Sequence, residues 1–131
     1  MKYLTLLFLL IVACGPTKED EIQALKDEVI GVHDEVMPKM SELRYARKSL
    51  IAQADSLVES DSIKAEMLKS LANDIGEANE SMMQWMRNFK PDFEGTDEEV
   101  MQYFEDQKKS VQKVKEDMLS SLAKGEEMLE D

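Results

Sequence analysis

Apolar residues recur along most of this chain at intervals of three and four. Ile22, Leu25, Val29, Val32, Val36, Met40, Leu43, Ala46, Leu50, Ala54 and Leu57 form one run. Its mean spacing of about 3.5 residues is the period of helices wound together in a left-handed bundle. A second run passes through Ile63, Met67, Leu71, Ile75, Ala78, Met82, Trp85 and Phe89. A third passes through Val100, Phe104, Val111, Val114, Met118, Leu122 and Leu129. Between these stripes stand mostly Glu, Asp, Lys, Gln and Ser, the composition of solvated helix faces. No segment alternates with period two over a useful length, so the pattern predicts an all-α fold without a sheet.

The breaks between the runs are chemically legible. "ESDS" at Glu59 to Ser62 supplies turn formers, with Asp61 placed to cap the second helix. In "KPDFEGTDEEV", Pro91 discourages helix continuation, and Thr96 with Glu99 matches the capping box. Thr17 with Asp20 offers a weaker form of that box at the first helix. Short loops favour antiparallel neighbours, which predicts an up-down-up three-helix bundle with helices on the order of 45 Å long. Pro38 interrupts the first helix by removing an amide and crowding the carbonyl of Asp34. A kink is expected there, and a split near Met37 and Pro38 would give the alternative of four helices.

The N-terminus stands apart from this pattern. "MKYLTLLFLLIVACGPTKEDE" carries one Lys, an apolar run from Leu4 to Val12, and then Ala13 and Cys14. About ten apolar residues are too few to span a bilayer as a helix and match the hydrophobic region of a secretory signal. "IVAC", ending at Cys14, resembles the lipobox of bacterial lipoproteins. That resemblance implies a diacylglyceryl group on the cysteine, cleavage just before it, and acylation of the new amino terminus. Two or three acyl chains would anchor the protein stably. The expected organisation is therefore a signal peptide over 1–13, a lipidated cysteine and short tether over 14–20, and a helical domain over 21–131.

Charge narrows the partners. The full chain has 28 acidic and 16 Lys or Arg residues, a formal net charge of −12. The mature form is one unit more negative, because Lys2 leaves with the signal. Such a surface does not suit nucleic-acid phosphates, nor lying flat on an anionic membrane, so the lipid is the expected membrane contact. Cys14 is the only cysteine, so no disulfide can form within the mature domain and stability must come from packing.

The chemistry to be weighed lies in "HDEVMPKM", His33 to Met40, and "MMQWM", Met82 to Met86. If the first turn centres near residues 59 and 60, antiparallel residues whose numbers sum to about 119 lie side by side. His33 then meets the level of Met86, and Met37 that of Met82 and Met83. Met side chains fill irregular core space well, and that is the expected role here. The alternative is a soft site for Cu(I) built from His33, Met37, Met40, Met82, Met83 and Met86. Catalytic signals are thinner: with no free cysteine nucleophile, one histidine and no glycine-rich phosphate loop, the expectation is no enzyme and no nucleotide. "DFEGTDEE" lacks the ligand spacing of a calcium loop. The bases Lys39, Arg44, Arg47 and Lys48 fall level with Asp74 and Glu77, which predicts inter-helix ion pairs.

Taken with the lipobox, "HDEVMPKM", "MMQWMRNF" and "KVKEDMLSSLAK" resemble a group of small Bacteroidota lipoproteins often labelled viral A-type inclusion protein. The resemblance covers most of the mature chain and implies a cell-envelope location and a helical fold. It implies no activity or ligand. "KEDE" at Lys18 to Glu21 resembles the export signal that carries such lipoproteins to the outer face of the outer membrane. It is equally the acidic start that a helix dipole favours, so the periplasmic and surface faces both stay open. The expected protein is a lipid-anchored envelope scaffold that engages another envelope protein without catalysis. Its anchor is testable: Cys14→Ser should leave an unprocessed precursor that takes up no radiolabelled fatty acid, and undiminished labelling would refute the lipobox.

Overall fold

The computed structural model describes residues 15–130; the expected signal peptide over 1–13 and the expected lipidation site Cys14 lie outside the described residues. Every regular element among the described residues is helical. Helix α1 spans Lys18–Val36, a 3-10 turn covers Met37–Lys39, and α2 spans Met40–Leu57. Helix α3 spans Ser62–Asn88 and α4 spans Asp97–Glu130.

Each helix start after a loop is chemically capped. Thr17 accepts the Asp20 amide on its hydroxyl while the Asp20 carboxylate accepts the Thr17 amide, a reciprocal capping box. The backbone bond from Thr17, then the hydroxyl bond, hold the Asp20 carboxyl below its ordinary range. The associated stabilisation is present above the ordinary carboxylate pKa and is lost as pH falls through the lowered one. Asp61 caps α3 by accepting the Lys64 amide at 3.0 Å. At α4 the Thr96 amide donates to Glu99 at 2.9 Å and the Glu99 amide to Thr96 at 3.3 Å. Helix α1 begins three residues before the expected domain start at 21, so only Gly15 and Pro16 separate Cys14 from the cap.

Pro38 alters the first rod without reversing it. The Met40 amide bonds to Met37 in the tighter i to i−3 pattern, which accommodates a residue with no amide of its own. Val36, Met37, Lys39 and Met40 all keep right-handed helical backbone angles. The single helix α4 packs against both α1 and α2. Along it, Lys108 pairs with Glu28, Lys115 with Glu35 at 2.6 Å, and Gly125 lies against Leu50. These partners advance together in sequence, so α1 and α2 run parallel to α4 as one continuing rod. The 40 steps from Lys18 to Val58 extend it to about 60 Å at the helical rise.

Three rows of buried residues, seven apart, line the facing surfaces. The first rod contributes Val29, Val36, Leu43 and Leu50; α3 contributes Leu68, Ile75 and Met82; α4 contributes Phe104, Val111, Met118 and Gly125. The rows meet at Gly125, where an added Cβ would stand 3.0 Å from Ile75 Cδ1 and 3.1 Å from Leu50 Cδ1. Size then varies along the seam. Ala46, Ala54, Ala65 and Ala72 are all buried, and the backbones of α2 and α3 approach closely. Helices α1 and α3 barely approach at the backbone and meet instead through large side chains, Trp85, Met86 and His33.

The α3–α4 loop is pinned by aromatic rings. Phe93 stacks on Tyr103 at 4.2 Å, Phe89 stacks on Trp85 at 4.8 Å, and the Lys90 amide donates to the Tyr103 hydroxyl at 2.7 Å. The far end is different. Ile63 and Met67, expected on the buried stripe, are 76% and 52% exposed, while Ala65 and Leu68 are buried in their place. With Gly125 level with Ile75, the last described turn of α4 ends near the level of residue 70. The α2–α3 hairpin beyond it has no third helix to cover it among the described residues.

The tight layer at Gly125 predicts opposite outcomes for two glycine substitutions. Gly125→Val should lower stability by about 1–3 kcal/mol through overpacking against Leu50 and Ile75. Gly31→Ala, whose Cβ meets nothing within 4 Å on exposed α1, should raise it by roughly 0.5–1 kcal/mol. Urea unfolding of the soluble chain from Gly15 reads both.

Candidate functional site

The divergence of α1 from α3 creates a small cavity of about 290 Å³, bordered by Ile30, His33, Trp85, Met86, Phe89 and Pro91. His33 reaches it from α1, one turn before the 3-10 segment, and Met86 reaches it from the last turns of α3. His33 Nε2 lies 3.1 Å from Met86 Sδ, and His33 Nδ1 lies 2.9 Å from Asp34 Oδ1. Residues 33 and 86 satisfy the antiparallel sum expected from the sequence. The Trp85 ring sits 5.8 Å from the imidazole, tilted by 33°. Its Nε1 is buried with no hydrogen-bond partner.

His33 Nδ1 and Nε2 thus face a carboxylate oxygen and a thioether sulfur respectively, and which nitrogen donates depends on the tautomer. An imidazole nitrogen and a thioether sulfur side by side are donors of the class that soft cations such as Cu(I) take.

The six residues singled out from the sequence do not converge. Only His33 and Met86 share the close contact described. Met82 is fully buried within the core, in the α3 row. Met37 and Met40 are half-buried and pack against the core cluster around the 3-10 turn. Met83 is 40% exposed and borders a separate groove beside Arg44 and Arg47. Among the described residues, no group of three or more His, Cys, Asp and Glu side chains could hold a metal ion. No described helix is long and apolar enough to cross a membrane.

The expected ion pairs from the basic group to Asp74 and Glu77 do not form. Lys39, at the end of the 3-10 turn, pairs with Glu42 of α2 at 2.9 Å, and Arg44 donates to Ser41 Oγ at 3.4 Å. Arg47 lies over Gly76 of α3, where its Nε would be 3.0 Å from a Cβ. Arg44, Arg47 and Lys48 do border a groove against α3, but facing helices at one level need not aim opposite charges at each other. Among the features unread in the sequence are the exposed hairpin end and the stacking of Tyr103, which sits beside the apolar stripe. A tyrosine ten residues beyond Phe93, with Gly95 between them, was the available signal for the latter.

Comparison of the chain with protein-family models, curated proteins and solved structures finds no match.

Proposed function

We propose that the protein is a lipid-anchored envelope scaffold in which three helical rods, arranged up-down-up, hold a partner-binding end away from the membrane. The observation that carries this reading is the exposure of Val58, Ile63 and Met67, 48%, 76% and 52% respectively. All three stand where α2 turns into α3, and Ile63 and Met67 share one helix face. Soluble surfaces seldom group large apolar side chains without a partner to cover them. The first rod carries this end about 60 Å from Thr17, and so from the lipid on Cys14. The partner is an envelope protein with a complementary apolar patch, engaged without catalysis.

Crosslinking in intact cells tests this. A photoreactive residue at Ile63 should yield a discrete adduct, whereas one at Gln112, exposed on α4, should not. Ile63→Glu with Met67→Glu should end copurification of that partner from solubilised membranes. Adducts formed equally well from Gln112, or copurification unchanged in the double variant, would contradict the reading.

The short contact between His33 and Met86 favours a second reading, a soft-metal protein that takes Cu(I). Its donors reduce to His33 Nε2 and Met86 Sδ, with Trp85 screening the site. Titration of Cu(I) into the soluble chain under anaerobic, reducing conditions should then show saturable binding that His33→Ala and Met86→Leu each abolish. Absence of binding tighter than about micromolar, equivalent to roughly 8 kcal/mol, ends this reading.

A further inference from the structure

We propose that the groove between α2 and α3 binds a phosphate group carried on an apolar body. Arg44, Arg47, Lys48, Asn79, Ile51 and Met83 form the parts of the groove that matter. Its volume of about 660 Å³ lies within the range of small-molecule sites.

Three observations point to an anion. In a chain with 28 acidic residues against 16 Lys and Arg, three bases lie within one and a half turns on one edge of this groove. None of the three is in an ion pair among the described residues. Two carboxylates also border the groove: Glu80 is paired with Arg87 at 2.6 Å, outside it, and Glu77 accepts from Asn73 at 3.0 Å. Three bases against two carboxylates, one of them paired with Arg87, leave the groove locally positive.

Gly76 supplies the second part of the argument. A glycine inside a helix is unfavourable by roughly 0.5–1 kcal/mol relative to alanine. Here its bare surface lets the Arg47 guanidinium lie down on α3, since a Cβ would come within 3.0 Å of Nε. The planar fork is thereby held at the groove wall, where two arginines can meet phosphate oxygens in paired hydrogen bonds.

The apolar side of the groove supplies the third. Ile51, half-buried, and Met83, 40% exposed, offer apolar contact next to the charges. Charge and apolar surface side by side fit an amphiphilic phosphate ester better than a bare inorganic ion. The phosphate could belong to a soluble ester or to the headgroup of a phospholipid.

Titration of the soluble chain from Gly15 at low ionic strength, followed by amide NMR shifts and calorimetry, tests the assignment. Hexyl phosphate should bind saturably and shift Gly76 and Asn79, inorganic phosphate should bind more weakly, and hexanol should not bind. Arg44→Gln with Arg47→Gln should weaken hexyl phosphate by about tenfold or more, with circular dichroism unchanged. Lys39→Gln, outside the groove, should leave it within about twofold. Vesicles of phosphatidylcholine containing phosphatidic acid separate the sources. Vesicle binding lost in the double arginine variant supports a headgroup, and hexyl phosphate binding without vesicle binding supports a soluble ester. No saturable hexyl phosphate binding up to millimolar concentration, or binding unchanged in the double variant, overturns the proposal.

Discussion

Everything in this molecule depends on three rows of side chains repeated every seven residues and pressed into one seam. A straight α-helix drifts by about 20° per heptad against such a repeat, so keeping the rows in contact requires the rods to wind around one another. With a single cysteine in the chain, no disulfide can form within it, and apolar burial along this seam supplies the stability. The Leu50, Ile75 and Gly125 layer shows how closely it is fitted. One position lacks a side chain altogether, and the two opposite it fill the space.

A gradient of side-chain size along the seam turns this packing into surface features. Small residues, Ala46, Ala54, Ala65 and Ala72, bring α2 and α3 together and leave Gly76 bare for Arg47. Large residues, Trp85, Met86 and Phe89, stand where α1 and α3 diverge, and the His33 cavity opens among them. The transition falls at Pro38, where α1, packed mainly on α4, gives way to α2, packed mainly on α3. The loss of one amide hydrogen bond is thus absorbed by a 3-10 turn while the buried row continues from Val36 to Leu43.

Much of the helical pattern could be read from the sequence because periodicity reports which face of a helix is apolar. The caps at Thr17, Asp61 and Thr96 were legible for a local reason: a side chain and an amide three residues away form the bond. The meeting of His33 with Met86 followed from antiparallel level matching. Ile63 and Met67 were misread because apolar spacing along one helix carries no information about where a neighbouring helix stops. Gly125 escaped notice because close approach needs a missing side chain, which a search for apolar residues passes over. Met83 was grouped with Met86, although the two side chains border different grooves. The pairing of Arg47 with Gly76 depends on two individually ordinary surface residues, so no pattern within either helix reveals it.

Continuity of the first rod through Pro38 sets both the seam and the reach of the exposed hairpin. A distance measurement between spin labels at Glu19→Cys and Ser60→Cys, in the otherwise cysteine-free chain from Gly15, tests it directly. A single narrow distribution near 60 Å, about 1.5 Å for each intervening step, is the result expected of a continuing helical rod. A distribution centred below about 45 Å, or one split into two populations, would mean that the chain folds back at Pro38, and would contradict the account.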